Sequence, residues 1–156
     1  MTRLLRLALL AAVALLSPFA AQAAEPRGGD IEVRDAWARA TPPGSQVAAV
    51  YMTIVGGPRA DRLVSASTER AAMTEIHSVT EEDGVARMRP VAGGVAVPAG
   101  KTITLAPQGL HLMLMMLDRP LVAGEKFAVT LTFEAAGSRD VPVDVRAPGA
   151  APPAPH

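Results

Sequence analysis

Phe127-Ala128-Val129-Thr130-Leu131-Thr132-Phe133-Glu134 carries an apolar side chain at every second position. In an extended chain successive side chains point to opposite sides. Phe127, Val129, Leu131 and Phe133 therefore share one face, and Ala128, Thr130, Thr132 and Glu134 the other. The same period of two recurs on either side. Val141, Val143 and Val145 alternate with Pro142, Asp144 and Arg146, and Val50, Met52 and Ile54 alternate with Tyr51 and Thr53. Turn formers punctuate the chain about every ten residues: Pro42-Pro43-Gly44, Gly56-Gly57-Pro58, Asp83-Gly84, Gly93-Gly94, Pro98-Ala99-Gly100, Pro107-Gln108-Gly109, Ala123-Gly124 and Gly137-Ser138. Short strands at that spacing, with no helical period beyond the first residues, predict an all-β Greek-key sandwich or small barrel. Five aromatic residues are present, so the core is expected to consist of Val, Leu, Ile, Ala and Met.

The ends read differently. Arg3 and Arg6 precede the apolar run Leu7–Leu16, Ser17-Pro18 closes it, and Ala21-Gln22-Ala23 offers a small-x-small cleavage site. Ten residues at about 1.5 Å each fall well short of a bilayer core of roughly 30 Å, so residues 1–23 read as a cleavable secretory signal peptide. Residues 24–146 form the predicted domain. Residues 147–156 (APGAAPPAPH) are Pro- and Ala-rich and read as a disordered tail. Removing Arg3 and Arg6 from the 15 basic residues leaves 13 against 15 acidic ones, a net of −2. With no basic stripe, nucleic acid is not an expected partner, and no second apolar run is long enough to span a membrane. Cysteine is absent, which removes disulfides, thiolate catalysis and a blue-copper electron-transfer site. No G-x-S-x-G or comparable nucleophile setting occurs, so no enzyme is expected. The compartment implied by the signal peptide is the periplasm, and the domain is read as a monomer.

Two histidines lie in the domain, His77 and His111, each in an expected strand with a methionine placed to join it. In His111-Leu112-Met113-Leu114-Met115-Met116-Leu117, His111, Met113 and Met115 share one face, about 6.6 Å per two residues, and Leu112, Leu114 and Met116 the other. Met73–Thr80 and Val85–Val91 flank Glu81-Glu82-Asp83-Gly84 as a hairpin. A four-residue loop sets His77 directly opposite Met88. A two-residue Asp-Gly turn pairs His77 with Pro90 and leaves Met88 a diagonal neighbour on the same face. A three-residue loop throws Met88 to the other face. Two imidazoles and two thioethers are soft, neutral donors suited to Cu(I) and poorly suited to Zn²⁺, Mg²⁺ or Ca²⁺. On composition alone Met113, Met115 and Met116, in a Leu-rich strand, read first as core filler, and the histidines as ordinary partly buried ones hydrogen-bonded to backbone. Met52 and Met73 read as core, with Met73 and Met115 as spare ligands. Trp37 and Tyr51 read as packing residues.

The pattern His77-x10-Met88, a gap of 22 residues, then His111-x-Met113 resembles the periplasmic copper chaperones of the PCuAC family. So do the stretches Asp35–Gly44, Glu75–His77, Met88–Val91, Val97–Gly100, Gly109–Met115, Leu131–Glu134 and Val141–Val143. The resemblance covers residues 30–146. It implies a cupredoxin-like fold and a Cu(I) site built from His77, Met88, His111 and Met113. It also implies copper delivery, notably to the CuA centre of cytochrome c oxidase (subunit II), with a Sco-type thiol protein as a further partner. Ser78 stands where some members carry another Met, and the tail has one His and no Met, so the Cu(II)-capturing extension of some members is not implied. The competing expectation is a metal-free β-sandwich module that binds a protein partner.

Overall fold

The computed structural model describes residues 31–150. The expected signal peptide and the last six residues of the expected tail lie outside them. Ten strands run β1 Glu32–Arg39, β2 Val47–Val55, β3 Asp61–Ser67, β4 Ala71–Glu82, β5 Val85–Pro90, β6 Val95–Val97, β7 Thr102–Leu105, β8 His111–Leu117, β9 Lys126–Phe133 and β10 Gly137–Arg146. No helix occurs among the described residues, and hence none long and apolar enough to cross a membrane.

The ladder order is β5-β4-β8-β2-β1-β10-β9-β3-β6, with β7 also on β2. Most neighbours are not consecutive in sequence, as in a Greek key. β1 and β10 run parallel, and every other pairing is antiparallel. The sheet bends round one apolar core without closing into a barrel. Val50, Met52 and Ile54 of β2, Leu112 and Leu114 of β8, Val129, Leu131 and Phe133 of β9, and Val143 and Val145 of β10 all point into it. The alternation in the opening stretch is thus the core-facing period of β9. Each such side chain withdrawn from water contributes roughly 1.5–3 kcal/mol. Phe127 and Phe133 are buried as well, so the core is not purely aliphatic.

Three features fix where the chemistry sits. First, β7 and β8 follow one another along the same edge of β2, pairing with Met52–Val55 and Val47–Val50 respectively. The loop between them is folded back by Ala106 N–H donating to Leu110 O at 2.8 Å and Gly109 N–H to Ala106 O at 3.1 Å. Second, β4 lies on the far edge of β8 in a register that pairs His77 with His111, Glu75 with Met113 and Met73 with Met115. Third, Arg70 anchors that register just before β4 begins. Its Nε donates to Asp118 at 2.9 Å and its Nη1 to Glu125 at 2.8 Å.

One open choice is settled and two expectations are corrected. Of the three loop lengths considered, the β4–β5 hairpin takes the two-residue Asp83-Gly84 turn: Glu82 pairs with Val85, His77 with Pro90, and Val79 with Met88. Both turn residues have positive φ, 55° and 74°, as in the type I′ turn whose twist matches the strands it joins. Met73 is 45% exposed rather than core. It shares a face with Glu75 and His77, while Ile76 points inward. The period of β8 breaks at Met116, whose φ of 54° leaves it exposed and lets Leu117 turn in instead.

Candidate metal site

The pairing of His77 with His111 follows from the strand parities. Leu112 and Leu114 are taken by the core, so His111, Met113 and Met115 occupy the opposite face of β8. Ile76 fills the inward position of β4, which sends His77, Glu75 and Met73 to that same outer face. Cross-strand partners have Cβ atoms about 4.5–5.5 Å apart, and the two imidazole rings lie edge to face with centroids 5.9 Å apart. His111 is only 3% exposed, and the His77 side chain 12%. Beyond them the row continues across β2 and β1. Tyr51 sits 6.4 Å from His111, Trp37 4.8 Å from Tyr51, and Arg39 lies over the Trp37 ring at 5.7 Å. Burial pushes the Tyr51 hydroxyl above its ordinary pKa, with the Arg39 charge pulling the other way, so it stays a neutral phenol at neutral pH.

Each ring is held by one nitrogen. His111 Nδ1 lies 3.1 Å from the carbonyl oxygen of Gly109, which also accepts from Val79 N–H at 3.2 Å. His77 Nε2 lies 2.8 Å from a carboxylate oxygen of Glu75. A carbonyl and a carboxylate can only accept, so in the neutral rings the protons sit on His111 Nδ1 and His77 Nε2. The lone pairs are then on His111 Nε2 and His77 Nδ1. Those two atoms are buried and have no hydrogen-bond partner. Two orphaned nitrogen lone pairs on adjacent, cross-paired side chains are unfavourable unless something accepts them. The orienting bonds from Glu75 and Gly109 are of the kind that fix the tautomer of metal-ligating histidines.

Met113 lies two residues from His111 on this face and opposite Glu75. Met88, 51% exposed on the edge strand β5, is the diagonal neighbour of His77 on the same face. The structure therefore brings His77, His111 and Met113 together on two adjacent strands, and Met88 reaches them only through the hairpin. No group of three His, Cys, Asp or Glu side chains suited to a metal occurs among the described residues; a site here needs thioether sulfur. The sequence reading missed Glu75 and Gly109. Each stands two residues before a histidine, and same-face parity was the signal that could have found Glu75. A surface hollow of about 570 Å³, lined by Ile31, Val33, Arg139 and Val141 among others, lies where β1 and β10 are not yet paired. It holds none of these donors.

Residues 31–145 match the LpqE-like family, described as "Putative lipoprotein LpqE-like". The chain belongs to the LpqE-like family. It is 34% identical, over 93% of its own length and 91% of the relative's, to "Putative lipoprotein Lxx21020" of Leifsonia xyli subsp. xyli (strain CTCB07). Among solved structures it is similar to the copper-bound PCuAC domain from PmoF2, with a TM-score of 0.64 and 26% identity over 78% of this chain and 96% of that one. The Cu(I) form of DR1885 from Deinococcus radiodurans superposes with a TM-score of 0.58 and 31% identity, over 81% of this chain and 83% of that one. The apo form of DR1885 gives 0.59 and 28% over 96% and 98%. The family member described here thus has the cupredoxin-like all-β fold of PCuAC domains.

Proposed function

We propose that this protein is an exported, periplasmic copper(I) carrier rather than an enzyme. It holds one ion with His77 Nδ1, His111 Nε2 and the sulfurs of Met113 and Met88. It releases the ion by ligand exchange to a copper-accepting protein, such as the CuA-bearing subunit II of cytochrome c oxidase or a Sco-type thiol partner. The observation that carries this reading is the pair of buried, unpartnered ring nitrogens on cross-strand histidines, with a thioether two residues away on the same face. The copper-bound state of two similar structures supports it.

The donors are neutral and soft, which suits a monovalent soft ion. Glu75 and Gly109 keep the two lone pairs aimed and the rings in place. Met88 is the most exposed donor and sits on an edge strand, so it is the first to yield its place to an incoming thiolate. The absence of cysteine means that the carrier itself cannot be lost to a disulfide in an oxidising compartment, although its methionines remain open to sulfoxidation.

The test is titration of purified residues 24–156 with Cu(I) against a competing chelator, followed by Trp37 fluorescence. X-ray absorption of the loaded protein counts sulfur against nitrogen. His77→Ala and Met113→Leu are expected to weaken Cu(I) binding by at least the 10–100-fold or so that loss of a supporting group costs. Equal affinity in parent and variants overturns the ligand assignment. Protein recovered from the periplasm with a bound polypeptide and no copper would favour a metal-free binding module instead.

A further inference from the structure

The outer face of β4 and β8 carries more soft donors than the proposed site uses. Met73 is the cross-strand partner of Met115, so their Cβ atoms stand about 4.5–5.5 Å apart. Met113 lies on the same face, about 6.6 Å along β8 from Met115. Two sulfurs on one ion need to be at most roughly 4.6 Å apart, twice a metal–sulfur distance of about 2.3 Å. Methionine's three rotatable bonds close such gaps easily. Met73 is 45% exposed, and Met115 half-buried. Glu75 stands between Met73 and His77 on β4 and opposite Met113, placing a carboxylate beside the track. Val47 pairs with Met115 from the other side, so the flank on β2 is apolar.

We propose a second, all-thioether Cu(I) station formed by Met73, Met115 and Met113, one cross-strand row away from the histidine pair. Met113 serves whichever station a single ion occupies; with the histidine station full, a second ion rests on Met73 and Met115 alone. This inference rests on the proposed histidine site and adds a route to and from it. Passage between the two replaces imidazole nitrogens by thioether sulfurs on the same ion. Every donor is neutral, so no proton leaves and no electron moves. The two histidines are nearly buried while Met73 is exposed, so Met73 and Met115 give the ion a second way in and out beside the one that opens when Met88 yields.

The test uses protein labelled with ¹³C at the methionine methyl groups and titrated with Ag(I), a closed-shell ion of the same charge and softness, in chloride-free buffer. The first equivalent should shift the Met113 and Met88 methyls together with the His77 and His111 ring signals. The second should shift the Met73 and Met115 methyls. In Met73→Leu/Met115→Leu the first event should be retained and the second lost, and transfer of Cu(I) from the loaded protein to a chelator should slow. Leucine keeps the apolar volume, so the fold should persist, which the amide spectrum checks. If the first equivalent behaves as described and the Met73 and Met115 methyls never move, the second station is wrong and the histidine site stands. If no histidine signal responds at any equivalent, the histidine site and the station that depends on it both fall.

Discussion

At the scale of single residues, the imidazole of His77 is placed by its strand and aimed by Glu75. The carboxylate accepts from Nε2 at 2.8 Å, leaving the unpartnered Nδ1 lone pair for the proposed ion. A glutamine there can present its NH₂ group to Nε2, which would move the ring proton to Nδ1 and occlude the lone pair. Glu75→Gln is therefore expected to lower Cu(I) affinity by about 10–100-fold and to leave the fold intact, since Glu75 lies on the outer face. The ¹⁵N shifts of the His77 ring should report a changed tautomer mixture in the metal-free protein. Unchanged ring shifts together with unchanged affinity would show that Glu75 does not position His77. This scale was the most legible in the sequence: His111 and Met113 share a strand face by spacing alone. The direct pairing of His77 with His111 was not legible, because a register between strands 34 positions apart depends on which other residues the core claims. Here Leu112 and Ile76 claim the inward positions and force the histidines together.

At the scale of elements, the β4–β5 hairpin stands apart from the rest. Every residue of β5 is exposed, so the strand is held mainly by its ladder to β4 and by its turn. The sequence left three loop lengths open for this hairpin. The two-residue Asp83-Gly84 turn is selected because both residues take positive φ, which Asp tolerates and Gly favours. A Cβ on Gly84 would meet nothing within 4 Å, so Gly84→Ala acts through backbone strain alone, about 1–2 kcal/mol. The expected result is local opening. Amide exchange should quicken in β5 and the residues of β4 that face it, with the global unfolding midpoint little moved. The first Ag(I) equivalent should still bind, but with a smaller shift at Met88. Uniformly faster exchange across β8 and β9 as well would mean that the hairpin is integral to the core, contrary to its exposure. Gly56 and Gly94 are demanded by close approach instead: a Cβ on Gly56 would come within 2.5 Å of the Pro98 carbonyl oxygen. A Cβ on Gly94 would come within 2.2 Å of the Leu63 carbonyl oxygen, where β6 closes on β3.

At the scale of the whole molecule, a domain without cysteine must be held by its core and a few polar ties, and those ties carry a pH signature. Arg70 is nearly buried and bonds Asp118 and Glu125, joining the start of β4 to the end of β8 and the start of β9. Its hydrogen bonds hold both carboxyls below their ordinary pKa values of 3.8 and 4.5. Burial pushes Asp61 up, but the backbone N–H groups of Ala135, Arg62 and Ala136 outweigh it and hold that carboxyl low as well. A carboxyl depressed in the folded state adds stability above its unfolded pKa and loses it as pH falls through the folded value. The apo protein should therefore keep its stability down to about pH 4.5 and lose it progressively in more acid solution. Arg70→Leu removes the largest cause of the depression at Asp118 and Glu125, so part of that acid dependence should disappear, while the parts due to Asp61 and to the Arg119 bonds to Asp118 and Glu125 persist. At neutral pH the same change should cost about 1–2 kcal/mol through the lost Arg70–Glu125 bond. Urea unfolding midpoints measured between neutral pH and acid for parent and variant would show it. The two curves should lie apart at neutral pH and converge as the solution becomes acid. Curves that stay parallel throughout would mean that the Arg70 cluster is not titrating with the fold, and that the β4–β8 register is held by the core alone.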